Sequence, residues 1–256
     1  MENINFPKTT GKHEFEPLFK AEHMLSKMEE SIGSIGYQKA VLIYSNSLFR
    51  HFKALYRMKR SKLNRWLINS NSIYEFGDHQ ILAYLGIGAP LTATTTEELI
   101  VAGVKEFLIL GTAGGLGPHL RIGDFVLCTK ALRDEGVSHH YIANSRYVKP
   151  DSELTDRIAK LLKKNKISFR SGATWTIDAP YAETIEEVKR YSKEGIITVE
   201  MEAAALFAVA KKRGVKAAAL FNISDILRIE GWSGFSKGKT RQKKCYPILA
   251  GLANLW

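Results

Sequence analysis

The sequence predicts an α/β fold in a single domain, and three observations carry that expectation. From residue 40 onward, apolar runs of strand length alternate with helical stretches, the pattern of strands joined by crossover helices. The chain has 256 residues, of which 45% are hydrophobic and 25% charged, average values for a globular protein long enough to bury a sizeable core. No Gly/Ser/Pro-rich linker interrupts the alternation and no internal repeat is found, so residues 1–256 read as one unit, with 1–36 as an N-terminal arm and helix.

Residues 1–16 read as an irregular arm, and 17–32 carry a 3.6-residue period with Leu18, Ala21, Leu25 and Met28 on one stripe. A strand at 40–44, a helix at 47–58, a strand at 80–85, a helix at 92–104 and strands at 107–110 and 125–128 follow. The second half continues with helix 152–165, strand 168–176, helix 184–194, strand 196–199, helix 201–213, strand 217–223 and a last helix at 243–255. The Lys/Gly-rich stretch 231–244 reads as a mobile loop before that helix.

Composition removes several function classes. It lacks the bias of collagen-like, low-complexity or disordered chains. No apolar run approaches the roughly 18 residues of a membrane span, and the first residues are polar where a signal peptide is apolar. A soluble cytoplasmic protein is expected. Cys128 and Cys245 lie in unrelated contexts and the seven histidines show no ligand spacing, so reduced thiols and no metal site are expected. The net charge of +11 suits an anionic partner, either a nucleic acid or a small phosphorylated or phosphate-requiring substrate. Most basic residues read as solvated helix faces.

Ligands of α/β sheets sit beyond the carboxyl ends of strands, and four such places carry chemistry here. GIGAP at 86–90 and GTAGGLG at 111–117 let backbone N–H groups approach an anion or a sugar, or simply make tight turns. Neither has the spacing of a Walker A loop or of a dinucleotide fold. Glu200 and Glu202 flank Met201 where a strand meets a helix; they read either as compensation of the helix N-terminus or as acceptors for two vicinal hydroxyls of a ribose, whose charge also stabilises an oxocarbenium-like transition state. Asp225 follows the apolar run AAALFNIS, as a helix N-cap or as a general acid whose burial favours the protonated form.

Taken together, GIGAPLTATTTEEL, GTAGGLGPHLRIGD, VEMEAAALFAVAKKRG and FNISD, in that order over residues 86–225, resemble the nucleoside phosphorylase family. That family includes uridine phosphorylase, hexameric purine nucleoside phosphorylase and the methylthioadenosine/adenosylhomocysteine nucleosidases. The resemblance implies a three-layer α/β sandwich around a mixed, partly barrelled central sheet. By position it puts Met201 and Glu202 on the ribose with Glu200 in support, Gly88 and Thr112 on the phosphate side, and Asp225 beside Ser224 at the base, donating a proton to N7 of a purine. Tyr181 in TIDAPY falls where relatives place an aromatic group against the base.

Three departures stand out. The GDPxR turn of family phosphorylases reads Ser45-Asn46-Ser47-Leu48-Phe49 here, with Arg50 one place late, and a second phosphate-binding arginine is replaced by Ile109. An apolar side chain cannot replace a bidentate arginine clamp, so Arg50 is the nearest candidate for the phosphate. The nucleosidases lack these arginines too, but the acidic cluster with which they activate water has no counterpart in SNSLF. The Gln-x-Arg pair that reads uracil in uridine phosphorylases maps to Thr184 and Glu186, which shifts the expectation toward a purine. The resulting reading is phosphorolysis of a nucleoside to base and (deoxy)ribose 1-phosphate, with inorganic phosphate as co-substrate and no cofactor or metal. A homo-oligomer, dimer or hexamer, is implied, with no nucleic-acid or membrane partner. Hydrolysis of the same bond, uridine phosphorolysis, and a non-catalytic nucleotide or nucleic-acid binder are the alternatives.

Overall fold

The computed structural model describes residues 9–23, 26, 36–65, 72–77, 79–116, 119–228, 231–233 and 239–256. Among them, eleven strands form one sheet: β1 (Lys39–Ile43), β2 (Lys59–Arg60), β3 (Ile73–Phe76), β4 (Gln80–Tyr84), β5 (Glu106–Gly115), β6 (Phe125–Asp134), β7 (Tyr147–Val148), β8 (Arg170–Ile177), β9 (Ile196–Glu200), β10 (Lys216–Arg228) and β11 (Gly231–Ser233). The helices are α1 (Asn46–Leu55), α2 (Ala89–Val101), α3 (Ser138–Tyr141), α4 (Ser152–Lys164), α5 (Ile185–Lys193), α6 (Ala203–Arg213) and α7 (Lys239–Leu255). Among the described residues no helix is long and apolar enough to cross a membrane.

Five strands close on themselves. β5 runs parallel to β10, β10 antiparallel to β6, β6 parallel to β8, β8 parallel to β9, and β9 returns antiparallel to the end of β5. The first half of β5 also pairs with β1, from which β4, β3 and β2 extend the sheet as an open wing. The sheet is therefore mixed and partly barrelled, as the family resemblance implies.

Strand residues alternate between the two faces, as a pleated strand requires. On β1, Val41 and Ile43 enter a core with Leu48 and Phe52 of α1, Leu154 and Ile158 of α4 and Leu249 of α7. Ala40 and Leu42 enter the opposite core, with Leu99 of α2 and the buried run Ala203–Ala210 of α6. Helices on both faces of the sheet make the three layers. Alanines along α6 let it lie close to α2 and the sheet, and α5 covers the barrel flank through Val188 and Tyr191 against Trp175.

Several expected boundaries move. Residues 17–20 are not helical and Leu18 is almost fully exposed; helix is present at 21–23, while Leu25 and Met28 fall outside the described residues. The described part of the arm, residues 9–16, packs on the protein's own surface, where Lys12 Nζ lies 2.9 Å from His140 Nδ1 and Lys212 Nζ donates to the His13 carbonyl at 2.5 Å. Within 231–244, residues 231–233 form β11 on the end of β10 and α7 begins at Lys239, so much of the expected loop is regular. Cys128 and Cys245 are buried and form no disulfide.

The largest correction concerns the glycines of GTAGGLG. Gly111 to Gly115 do not follow β5; they are its second half, and Gly117 lies outside the described residues. Gly114 pairs with Val199 on one side and Asp225 on the other. A Cβ there would lie 2.6 Å from Leu227 Cδ1 and 3.0 Å from Val199 Cγ1. These glycines are small because two strands close on β5 at once. Gly114→Ala is therefore expected to destabilise the protein by about 1–3 kcal/mol through overpacking, measured as a lowered urea midpoint with an unchanged m-value.

Candidate active site

The site is built at the junction of β9 and α6. Glu200, the last residue of β9, turns its carboxylate back onto the helix: Oε2 accepts from the N–H groups of Glu202 at 2.8 Å and Ala203 at 2.7 Å. Its Oε1 accepts from the hydroxyls of Thr176 at 2.5 Å and Thr174 at 3.3 Å. Those threonines stand two apart on β8 and so share a face. Burial pushes the Glu200 pKa up, opposed by these four donors, which favour its ionised form. The helix-end reading thus describes Glu200.

Glu202 is left for a ligand. Its Oε1 accepts from Gly88 N–H at 2.8 Å and its Oε2 from Met201 N–H at 3.3 Å, while Met201 stays half-buried. Burial first, and the nearby Glu200 second, push its pKa up from 4.5 to about 8, with Asp178 adding to the rise. Gly88 precedes α2 at φ +113°, backbone that a side chain rarely adopts, and this turn aims its N–H at Glu202. The amide assigned to the phosphate side is therefore engaged by the sugar-side carboxylate.

Tyr44, at the end of β1, completes this side. Its hydroxyl lies 2.9 Å from Thr92 Oγ1, which donates to the Gly88 carbonyl at 3.1 Å; a hydroxyl has one proton, so Tyr44 is the donor to Thr92. Burial and the charges of Glu202 and Glu200 raise the Tyr44 pKa. Thr112, half-buried on β5, follows Gly111, on which the Tyr44 ring packs.

Asp225 is neither a helix N-cap nor at a strand end. It lies inside β10 at an irregularity between Ile223 and Asp225, where Ser224 is the extra residue, and such bulges re-aim side chains. Ser224 Oγ lies 2.6 Å from Asp225 Oδ1 and 3.2 Å from the Ala113 carbonyl, and Trp232 Nε1 donates to Oδ2 at 2.8 Å. The 178–183 loop links the two carboxyl groups. Asp178 accepts from Gly136 N–H and acts electrostatically on Glu202. Glu183 is half-buried and pushed up to about 7, by burial first and by Asp225 second. Tyr181, midway along that loop, is fully exposed.

The structure brings together Glu200, Met201, Glu202 and Gly88 on one side, and Ser224 and Asp225 on the other. It does not bring Arg50 to them: Arg50 is on the exposed side of α1, and no hydrogen bond or ion pair joins it to Gly88, Thr112 or Glu202 among the described residues. Phe49 stacks on Tyr84 with ring centroids 4.6 Å apart, and Ile109 is buried in the core, so both usual arginine positions are filled by packed apolar groups. Thr184 caps α5 in a reciprocal pair with Glu187. A cavity of about 1360 Å³, lined by Arg121, Lys166, Arg170 and Arg228, contains none of the expected site residues. Sequence reasoning missed Tyr44, Thr92, Thr176, Glu183 and Trp232. Thr174 and Thr176 left a signal, two polar residues at period two in an apolar strand; Trp232 left none.

A family profile described as the phosphorylase superfamily matches residues 70–243. The chain belongs to the phosphorylase superfamily. Over 153 residues, this superfamily member is 33% identical to a guanosine phosphorylase of Halorubrum lacusprofundi, covering 60% of this chain and 63% of that protein. A uridine phosphorylase of Haemophilus influenzae is 28% identical, covering 56% and 63%, and a DeoD-type purine nucleoside phosphorylase of Clostridium beijerinckii 30% identical, covering 55% and 60%. The match spans less than two thirds of each of these curated relatives. Among solved structures, futalosine hydrolase of Helicobacter pylori superposes with a TM-score of 0.70 at 21% identity, covering 86% of this chain and 96% of that one. Uridine phosphorylase of Vibrio fischeri gives 0.69 at 21%, covering 85% and 90%. These structures share the fold.

A pH dependence of stability follows from Glu202. Because its folded pKa is raised from 4.5 to about 8, the proton it holds stabilises the fold fully below the unfolded value, and that contribution is lost as the pH rises toward 8. Glu202→Gln keeps an acceptor and cannot ionise. Its Tm relative to wild type is expected to increase steadily from about pH 5 to about pH 8, read by thermal unfolding in matched buffers.

Proposed function

We propose that this protein cleaves the N-glycosidic bond of a nucleoside, with a purine favoured, by transfer of the sugar to inorganic phosphate. The observation that carries the reading is the presence of two buried carboxyl groups, Glu202 just beyond β9 and Asp225 at the irregularity in β10, β9 and β10 being the two strands that pair with Gly114. Glu202 accepts from the O2′ and O3′ hydroxyls, and its charge offsets the positive charge that develops on the ribose ring. Two bound hydroxyls favour the ionised form of a group that burial holds protonated, so sugar binding releases the proton.

On the base side, the Ser224 hydroxyl cannot donate to both Ala113 and Asp225. In the carboxylic-acid form of Asp225 every group is satisfied: Oδ1–H donates to Ser224 Oγ and the Ser224 hydroxyl donates to the Ala113 carbonyl. That arrangement supports a general acid. The proton passes from Asp225 to a ring nitrogen of the purine as the C1′–N bond breaks and its electron pair leaves with the base. Phosphate oxygen bonds to C1′. Glu183 beside Asp225 offers a carboxyl to ring N–H or amino groups, which suits a purine such as guanine. The exposed Ile87, Tyr181 and Trp232 fit a homo-oligomer in which a second copy covers the mouth of the site. No cofactor or metal enters this scheme, and we place it in the cytoplasm.

Hydrolysis is the second reading, favoured by one observation: where guanidinium groups are expected, Phe49 and Ile109 are packed into the core, and the side chains that hydrogen-bond Gly88 are the Glu202 carboxylate and the Thr92 hydroxyl, neither of them a cation. The test is release of base with and without phosphate. Phosphate-dependent release, with ribose 1-phosphate as product, supports the proposal; release at the same rate without phosphate overturns it in favour of hydrolysis.

Two substitutions probe the assignments. Glu202→Ala is expected to lower kcat by about 10² to 10³ in a folded protein, measured by base release. Arg50→Ala is expected to leave both the phosphate KM and the nucleoside KM within about two-fold, because Arg50 stands on the exposed side of α1, measured by initial rates against phosphate; a phosphate KM raised roughly ten-fold would put Arg50 in the site.

A further inference from the structure

The segment after β10 holds a group that neither the sequence motifs nor the family profile assigns a task. β11 returns antiparallel to β10 with Leu227 opposite Trp232 and Arg228 opposite Gly231. Residues opposite one another in an antiparallel pair project from the same face, and so do residues two apart on one strand. Asp225, Leu227 and Trp232 therefore share a face, the one on which Leu227 and Asp225 approach Gly114. From there the indole reaches diagonally to the carboxyl, and Nε1 donates to Asp225 Oδ2 at 2.8 Å. Trp232 is 59% exposed, so more than half of it lies outside the packed interior.

We propose that Trp232 is a positioning residue for the base-side acid: its indole N–H occupies Asp225 Oδ2, so that the transferable proton is carried on Oδ1. The inference rests on the reading of Asp225 given under the proposed function. An indole N–H donates and never accepts, so Oδ2 serves only as an acceptor while that bond lasts. The proton is then confined to the oxygen beside Ser224, 2.6 Å away. When it moves to the purine nitrogen, the Ser224 hydroxyl turns from Ala113 to Oδ1. Trp232 and Ser224 then each donate to a carboxylate, and hydrogen bonds to an ionised acceptor are about twice as strong as neutral ones. Trp232 thus does more for the transition state than for the resting acid.

The experiment compares wild type, Trp232→Phe, Trp232→His, Asp225→Asn and the double variant Asp225→Asn/Trp232→Phe, with phosphate present. The substrates are inosine, whose base leaves with a proton, and nitrophenyl β-D-riboside, whose leaving group departs without one. Trp232→Phe is expected to lower kcat/KM for inosine roughly ten-fold and to leave the nitrophenyl riboside within about two-fold. Trp232→His, which keeps a ring N–H, is expected to recover part of the loss. In the double variant the two losses are expected not to add, because the indole acts through the carboxyl. Equal losses on both substrates, or additive losses, overturn the proposal by making Trp232 a structural residue. An unchanged Trp232→Phe beside a disabled Asp225→Asn overturns it and leaves the Asp225 reading standing. An Asp225→Asn variant as fast as wild type on inosine overturns that reading and the proposal together.

Discussion

The site depends on a carboxylate assigned no contact with the reacting bond. Glu200 accepts four hydrogen bonds, two from the first N–H groups of α6 and two from threonines of β8. One side chain thereby fixes β9, its neighbour β8 and the start of α6 in one geometry. Everything downstream inherits that geometry. The turn after Glu200 aims Glu202 across to Gly88, and Gly88 belongs to the start of α2. A buried charge that lost any of these donors would cost far more than the bond itself contributes, so the arrangement is held as a unit.

Barrel closure is the second constraint, and it competes with ligand binding for the same residues. The glycine-rich stretch looks like an anion cradle in the sequence. In space Gly114 and Gly115 are where β9 and β10 close on β5, and their missing side chains make room for Leu227, Val199 and Ile226. Closure also puts Asp225 and the end of β9 on either side of a single residue. The same absence of a Cβ that allows the barrel to close thus sets the strand that leads into Glu202 and the strand that carries Asp225 on either side of β5.

The fold class and most elements could be read from the chain because the strands and helices keep their periods: the apolar cores of β1, β4 and β9 and the stripe of α4 need no tertiary information. Strand lengths could not. β5 and β10 continue for several residues past their apolar runs, through GTAGG and SDILR, because barrel pairing supplies hydrogen bonds that local propensity does not announce. The short strands β2, β3, β7 and β11 were missed as well, because each is set by pairing with a neighbouring strand, on the open wing or on the barrel, and not by a period of its own. In the site, Glu200, Glu202 and Asp225 were visible as charges at the edges of apolar runs. Tyr44 and Thr92 read as ordinary strand-end and helix residues, and their role arises only when β1 and α2 meet at Gly88. Trp232 lay in a stretch whose composition reads as loop, and only its pairing with β10 brings it to Asp225.

The aromatic stack at Phe49 limits which side chains this position can hold. Its ring lies nearly parallel to Tyr84, is tilted against Tyr74, and carries Lys53 Nζ 5.8 Å from its centroid. An arginine at this position would set a guanidinium against two tyrosine rings and beside the Lys53 ammonium, with no acidic partner among these contacts. Any cation that serves an anion in this protein must therefore stand at another position.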